Sequence, residues 1–98
     1  MVKMKIKVHY ISLVKTFTKT SEDEFILDDS AILSDLSLRV ADKYGKPFTG
    51  EVYDPVLQEI KSTFVAMVNG IHMDQLKGIH TTLKDGDNII LMSLVTGG

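Results

Sequence analysis

Residues 3–11 alternate between apolar and polar side chains, and this pattern constrains the fold more than any other part of the chain. One face carries Met4, Ile6, Val8 and Tyr10, and the other carries Lys3, Lys5, Lys7 and His9. Because successive side chains of a strand point to opposite faces, a periodicity of two predicts a strand with one buried face. Such a strand needs a sheet and a layer that covers it, so we expect both in this chain.

A second periodicity predicts one main helix. Leu33, Leu36, Val40 and Tyr44 fall on a single helical stripe that would face the sheet. The preceding Asp28-Asp29-Ser30 offers side-chain oxygens that suit a first helical turn. Gly45 and Pro47 follow the stripe and predict where the helix stops.

The remaining segments complete an α+β domain. The residues predict a turn over 12–20, and strands over 23–27, 63–68, 71–73 and 88–92, with a tight hairpin at Asn69-Gly70. Asp54-Pro55 predicts the start of a short second helix over 55–60. We therefore expect one domain over residues 1–98, with a mixed sheet of about five strands, one main helix across it and an extended tail over 93–98.

Composition excludes several classes of function. The net charge is −2 and lysines are interspersed with acids, so no basic stripe for nucleic acid is expected. No apolar run approaches the ~20 residues of a membrane span, and lysines interrupt the N-terminal segment, so neither a membrane protein nor a secretory signal is expected. Cysteine is absent, which excludes disulfides, thiolate metal sites and a cysteine nucleophile. A cytoplasmic location is the expectation.

No pattern predicts a catalytic or metal site. His9, His72 and His80 lie on separate predicted elements without metal-ligand spacing. Glu22-Asp23-Glu24 and Asp28-Asp29 are interpreted as solvated turn charges, and no glycine-rich phosphate loop occurs. We therefore expect no bound metal or cofactor, and no enzyme activity of the chain by itself.

The order of several motifs resembles the MoaD and ThiS family of ubiquitin-like β-grasp sulfur carriers. The opening strand, the helix ending at Lys43-Tyr44-Gly45 and the Val68-Asn69-Gly70 turn are all similar to the family pattern. The stretch from Gly78 to Asp87, with Thr82-Leu83-Lys84-Asp85-Gly86-Asp87, is the most specific part. The chain then ends, after an apolar strand, on Gly97-Gly98.

The resemblance implies chemistry at the Gly98 carboxylate. A MoeB/ThiF-type adenylating enzyme would use ATP to activate this carboxylate, and a persulfide sulfur donor would then convert it to a thiocarboxylate. Gly97 would let the tail thread a narrow active site, because glycine has no Cβ and adopts backbone angles closed to other residues. The protein would be a covalent cosubstrate that carries sulfur.

The surface beside the tail is the expected partner-binding region. Ile90 and Met92 are candidates on the last strand, and Leu94, Val95 and Thr96 are candidates on the tail. An apolar patch next to a functional tail is typical of a docking surface. The alternative is that these side chains pack onto the short second helix of the domain itself.

The resemblance leaves the pathway open. A MoaD-like small subunit, acting with a MoaE-like molybdopterin synthase large subunit, is favoured by the 78–87 stretch and by the presence of residues 46–62. Ser93-Leu94 stands where MoaD-like tails commonly carry Pro-Pro. In this respect the tail is nearer to that of a ThiS-like carrier, which acts with a ThiG thiazole synthase. A ubiquitin-like modifier joined to lysines through Gly98 and a non-catalytic adaptor are further alternatives.

Overall fold

The first strand of the sheet confirms the alternation of residues 3–11. A computed structural model describes residues 3–94, and in it β1 spans Lys3–Ile11. Met4, Ile6, Val8 and Tyr10 are buried in the core, while the lysines of the same strand are exposed. A strand of this composition is stable because it removes its apolar face from water and leaves its charges solvated.

Seven strands and two α-helices form the described part of the chain. The strands are β1, β2 (Glu22–Asp28), β3 (Tyr53–Asp54), β4 (Glu59–Ile60), β5 (Phe64–Val68), β6 (Ile71–His72) and β7 (Asn88–Ser93), and the helices are α1 (Leu13–Thr18) and α2 (Leu33–Tyr44). One π-helical turn, Phe48–Val52, and two 3₁₀ turns, Met73–Gln75 and Gly78–His80, lie in the connections.

The main sheet has five strands in the order β2-β1-β7-β5-β6, which confirms the predicted mixed sheet. β1 pairs with β2 in antiparallel and with β7 in parallel orientation, and β5 pairs with β7 and β6 in antiparallel orientation. Strands β3 and β4 form a separate two-stranded hairpin. The fold is a ubiquitin-like β-grasp.

Helix α2 covers one face of this sheet. Leu33, Leu36 and Val40 are fully buried, as their spacing predicts, and Tyr44 packs at the edge of the core. The helix ends at Gly45, which has a φ of 62°. Because such a positive φ is strained for residues with a Cβ, glycine at this position stops the helix at the predicted point.

The start of α2 differs from the prediction. Asp28, Asp29 and Ser30 do not cap the helix, which begins three residues after Ser30 at Leu33. The Asp35 carboxylate instead accepts a hydrogen bond of 2.9 Å from the Ile32 N–H, and the Leu33 N–H donates to the Thr81 carbonyl at 2.9 Å. The helix start is thus held by its own first turn and by the segment before β7.

The turn predicted over 12–20 is wrong, because most of this segment forms α1. Val14 is fully buried and Leu13 and Phe17 pack against the core. Lys19 ends the helix in the left-handed conformation, with its N–H bonded to the Lys15 carbonyl at 2.7 Å. This short helix closes the end of the core between β1 and β5, where the Phe17 and Phe64 rings pack at a centroid distance of 6.5 Å.

The helix predicted over 55–60 is also wrong. Asp54 does accept hydrogen bonds from the N–H groups of Val56 and Leu57, as a helix cap would. Gln58, however, has a φ of 52°, which reverses the chain and brings β4 back along β3. The segment 46–62 therefore consists of a π-helical turn followed by a hairpin.

The Asn69-Gly70 hairpin is confirmed, although the strand after it is shorter than predicted. Both turn residues have positive φ, 52° for Asn69 and 84° for Gly70, and Val68 pairs with Ile71 across the turn. Mirror-image turns of this kind match the twist of antiparallel strands. β6 ends at His72, and Met73 already belongs to a 3₁₀ turn. Among the helices in residues 3–94, none is long and apolar enough to cross a membrane.

Candidate functional site at the end of the central strand

The strand that leads towards Gly97-Gly98 occupies the centre of the sheet. β7 pairs with β1 over Asn88–Met92 on one side and with β5 over Ile89–Ser93 on the other. The predicted orientation is confirmed, since Ile89 and Leu91 are buried in the core and Ile90 and Met92 lie half-buried on the opposite face. A strand with two neighbours has its backbone groups paired on both edges, so hydrogen bonds hold the chain on both sides up to the end of β7.

The chain leaves the sheet at Leu94. The Leu94 N–H donates a 2.8 Å hydrogen bond to the Thr63 carbonyl, and its side chain is 62% exposed. The predicted tail over 93–98 starts one residue too early, because Ser93 is buried as the last residue of β7. Val95, Thr96, Gly97 and Gly98 lie outside the described residues.

Ile90, Met92 and Leu94 belong to a larger apolar area on the outer face of the sheet. The strand register places Met92 between Ile11 of β1 and Val65 of β5, and Ile90 next to Met67. Val65 is only 6% exposed although it is not part of the core cluster. We call this area the outer apolar patch; it comprises Ile11, Val65, Met67, Ile90, Met92 and Leu94.

The described residues do not support the alternative in which Ile90 and Met92 pack onto a second helix of the domain. No helix forms over 55–60, and α1 packs on the other face of the sheet, where Val14 joins the core. The outer apolar patch therefore has no covering helix within residues 3–94. Apart from buried Val65, the side chains of the patch are accessible, and an accessible group of adjacent apolar side chains is typical of an interaction site.

The rest of the outer face is charged and internally paired. Lys3 contacts Asp28 at 2.5 Å, and Lys5 and Lys7 lie 4.0 Å from Glu24 and Glu22. These exposed pairs between β1 and β2 contribute little stability, because water and salt screen them. They do divide the face into a charged half and an apolar half, and the apolar half adjoins the exit of the tail.

A shallow groove borders the outer apolar patch at the end of β1. It is lined by Ile11 and Ile90 from the patch together with His9, Ser12 and Lys15. Lys15 is the one basic residue of α1, and it lines this groove. The groove adds a cation and hydroxyl groups to an otherwise apolar surface, which gives a partner polar groups to recognise.

Two family-like turns contact each other and set the beginning of β7. The Asp87 carboxylate accepts hydrogen bonds from the Asn69 side-chain amide and from the Lys84 N–H, each at 2.8 Å. The Asn69 amide oxygen accepts a bond of 2.9 Å from the Asn88 N–H. The Asn-Gly and Asp-Gly-Asp turns thus fix where β7 starts relative to β5, and hence where it ends.

The titratable groups with shifted pKa values form a structural cluster that joins β1, β2 and α2. Burial acts to raise the pKa of Asp23, but hydrogen bonds from Lys43, Tyr44 and Tyr10 outweigh it and hold that pKa below its usual value. Burial and the bond to Asp23 raise the pKa of both tyrosines. The interpretation of Asp23 as a solvated turn charge is wrong, since it links β1, β2 and α2.

The histidines stay apart. His9 lies on β1 near Glu22, His72 ends β6 beside Asp74, and His80 lies in a 3₁₀ turn. Within residues 3–94, no three potential ligands among His, Cys, Asp and Glu come close enough to hold a metal ion.

Several residues of this surface lie outside the partner-binding region predicted from the sequence. Val65, Met67 and Ile11 belong to the outer apolar patch because they pair across from Ile90 and Met92. In their strands these residues alternate with Phe64, Ala66 and Tyr10 of the core. This alternation shows which residues share the outer face only when the order of the strands in the sheet is known.

Solved structures with the same fold include a small archaeal modifier protein and a putative molybdopterin converting factor subunit. The chain is similar to the HVO 2177 protein of Haloferax volcanii, with a TM-score of 0.81 and 22% identity, over 98% of this chain and 88% of that one. It is similar to small archaeal modifier protein 1 of Methanosarcina acetivorans, with a TM-score of 0.78 and 22% identity over 100% of both chains. A putative molybdopterin converting factor subunit 1 of Pyrococcus furiosus has a TM-score of 0.75 and 26% identity, over 94% of this chain and 99% of that one.

At the level of sequence, no curated protein matches the chain. The family model for the ThiS family, however, matches residues 8–98. This match extends from the middle of β1 through the whole described domain to Gly97-Gly98. The chain therefore belongs to the ThiS family, whose members are small ubiquitin-like sulfur carriers and modifiers rather than catalysts.

Proposed function

We propose that the protein is a sulfur carrier whose reactive group is the carboxylate of Gly98. The observation that carries this proposal is the placement of β7, which runs through the centre of the sheet and leads into exposed Leu94, four residues before Gly98. The outer apolar patch lies at the same end of the strand. A partner that docks on the patch would have Leu94, where the chain leaves the sheet, beside its contact surface.

The chemistry begins with adenylation by a MoeB/ThiF-type enzyme. An oxygen of the Gly98 carboxylate attacks the α-phosphorus of ATP, pyrophosphate leaves, and an acyl adenylate forms. The terminal sulfur of a persulfide on a donor protein then attacks the acyl carbon, and AMP leaves with the bonding electron pair. A thiol reduces the resulting acyl disulfide by attacking the donor's sulfur, which releases the thiocarboxylate and leaves a disulfide behind.

In this scheme the domain presents the tail and supplies no catalytic group. ATP binds to the activating enzyme, and the carrier itself needs no bound cofactor or metal. Gly97 keeps the last residues narrow enough to enter the active site of that enzyme. We place the protein in the cytoplasm, where ATP and the activating enzyme act.

Molybdopterin synthesis is the favoured destination of the sulfur, with a MoaE-like synthase large subunit as the acceptor partner. The similarity to a putative molybdopterin converting factor subunit supports this assignment. Transfer to a thiazole synthase of the ThiG type is the alternative suggested by the ThiS family match. Conjugation to lysines is the other alternative, and the similarity to a small archaeal modifier supports it.

One mass measurement on the protein from its native cell tests the proposal. A carrier gives an intact mass that increases by the difference between sulfur and oxygen, located at Gly98. A modifier gives Gly-Gly remnants on lysines of target proteins, and co-purification with a synthase subunit names the pathway. If the activating enzyme of the same cell never transfers AMP to Gly98, the proposed function is wrong.

A further inference from the structure

The three most exposed large apolar side chains in residues 3–94 are those of Val56, Leu57 and Leu94. Val56 is 88% exposed and Leu57 is 65% exposed, and both occupy the tip of the β3–β4 hairpin. The third is Leu94, where the tail leaves the sheet. Two neighbouring apolar side chains at a loop tip gain nothing from folding, because water contacts them in the folded and unfolded states alike.

The hairpin tip has a defined shape. The Asp54 carboxylate accepts hydrogen bonds from the Val56 N–H at 2.9 Å and from the Leu57 N–H at 3.1 Å. Pro55 restricts the backbone at the first tip position, and Gln58 adopts the left-handed conformation that closes the turn. Val56 and Leu57 are therefore presented on a preorganised loop, which lowers the entropy lost when a partner binds them.

The base of the hairpin is fixed to the domain. Tyr53 is buried and its hydroxyl lies 3.0 Å from the Ser34 Oγ of α2, and Ile60 packs against the core. The Lys61 N–H also bonds to the Val52 carbonyl at 2.8 Å. The tip is thus held in a constant position relative to the sheet.

The same segment contacts the start of the tail. Thr63 accepts the hydrogen bond from the Leu94 N–H, and Thr63 follows Leu57 by six positions. Six extended residues span at most about 20 Å. The hairpin tip therefore lies within about 20 Å of Thr63, the residue bonded to the start of the tail, which is within reach of a partner that encloses the tail.

We propose that the β3–β4 hairpin is a second docking element for the enzyme that activates Gly98. This inference rests on the proposed function. Val56 and Leu57 insert into an apolar pocket of the activating enzyme while the tail enters its active site. Asp54 and Glu59 pair directly before and after the tip, so the pocket that fits it is apolar with basic groups at its rim.

The test measures AMP transfer by the adenylating enzyme of the same organism to the full-length chain. The V56S/L57S double variant is expected to raise the KM for the carrier by at least about tenfold and to leave kcat unchanged, because only docking is weakened. The matched control is I26S/L38S, which replaces two apolar side chains that are 47% and 44% exposed on β2 and α2, and it should keep the wild-type KM.

Two further measurements separate docking from folding and from the reaction. Circular dichroism and thermal unfolding should show a wild-type fold for V56S/L57S. A chain lacking residues 95–98 should still bind the activating enzyme weakly through its docking surfaces, and adding V56S/L57S should weaken that binding further by at least about tenfold.

The outcomes are distinct. A wild-type KM for a folded V56S/L57S variant overturns the docking element and leaves the proposed function intact. The same follows if the chain lacking residues 95–98 binds the activating enzyme equally well with and without V56S/L57S. A wild-type chain that receives no AMP overturns the proposed function and this inference with it.

Discussion

The Asn69 side-chain amide donates a 2.8 Å hydrogen bond to the Asp87 carboxylate, which joins two turns separated by 18 positions in the chain. Asp87 is buried, and its other oxygen accepts a bond from the Lys84 N–H. Sequence motifs that are generic turns when considered singly thus form one hydrogen-bonded unit. This unit sets the register in which β7 enters the sheet between β1 and β5.

Removing this contact should destabilise the domain. Asn69→Ala is expected to lower the free energy of unfolding by about 1–3 kcal/mol, because Asp87 and the Asn88 N–H each lose a partner and alanine is strained at the positive φ of this turn. Urea denaturation measures the change. Asp42→Ala, on the exposed side of α2, is the control and should stay within about 0.5 kcal/mol of the wild type. Equal stability of both variants would contradict the structural role of Asn69.

The Asp23 cluster should make stability fall in acid. Because the folded-state pKa of Asp23 is lowered, its contribution is complete above the unfolded-state pKa of about 3.9 and is lost as the pH falls through the folded-state value. Asp23→Asn should lower the free energy of unfolding at pH 7 by about 1–3 kcal/mol. The variant should also lose less stability than the wild type between about pH 5 and pH 2, because asparagine has no carboxylate to protonate. Parallel pH profiles of the two proteins would contradict this assignment.

The two tyrosines of the same cluster should make the free energy of unfolding fall in alkali. Burial and the bond to Asp23 raise the folded-state pKa of Tyr10, so its contribution is complete below the unfolded-state pKa of about 10 and is lost as the pH rises above it. Tyr10→Phe removes this ionisation. Its unfolding free energy should therefore decline less steeply above about pH 10 than that of the wild type, which a series of urea titrations measures.

Substitution in the tail should block activation without affecting the fold. Gly97→Val introduces a branched side chain where the proposed mechanism requires a narrow backbone, so AMP transfer to Gly98 should fall by at least about 100-fold. Thermal unfolding should match the wild type. Gly50→Ala is the control, because its added Cβ has no atom within 4 Å, and it should be activated normally. Normal activation of Gly97→Val would show that the tail does not thread a confined site.

Polar substitution on the outer apolar patch should weaken partner binding. Met92→Ser removes the side chain that lies between Ile11 and Val65, and we expect a loss of affinity of about tenfold or more for the activating enzyme. Ile26→Ser, on the charged half of the same face, is the control. Isothermal titration with the purified enzyme gives both constants. Equal affinities for the two variants would place the docking surface elsewhere.

Local patterns predicted the elements that bury a regular apolar face. β1 and α2 follow directly from the spacing of Ile6 and Val8 and of Leu36 and Val40, because a period of two and a period of 3.6 each place these side chains on one buried face. β7 was predicted with the correct orientation for the same reason. These elements carry most of the core.

The segments that were predicted wrongly depend on tertiary contacts. Helix α1 has only six residues and includes Thr16 and Thr18, whose branched side chains favour helices weakly, so its burial of Val14 stabilises it more than its propensity does. Asp54-Pro55 provides the chemistry of a helix start, but Val56 and Leu57 have no surface to pack against and the chain turns back at Gln58. The outer apolar patch could be assembled only from the register between three strands.

The parallel pairing of β1 with β7 determines how the domain responds to force. An enzyme that grips the residues after Leu94 and pulls along the strand loads all hydrogen bonds between these two strands at once, so they must shear together rather than open one by one. Antiparallel pairing with β5 shares the load on the other edge. The folded domain should therefore resist unfolding while a partner enzyme pulls the C-terminal residues into its active site.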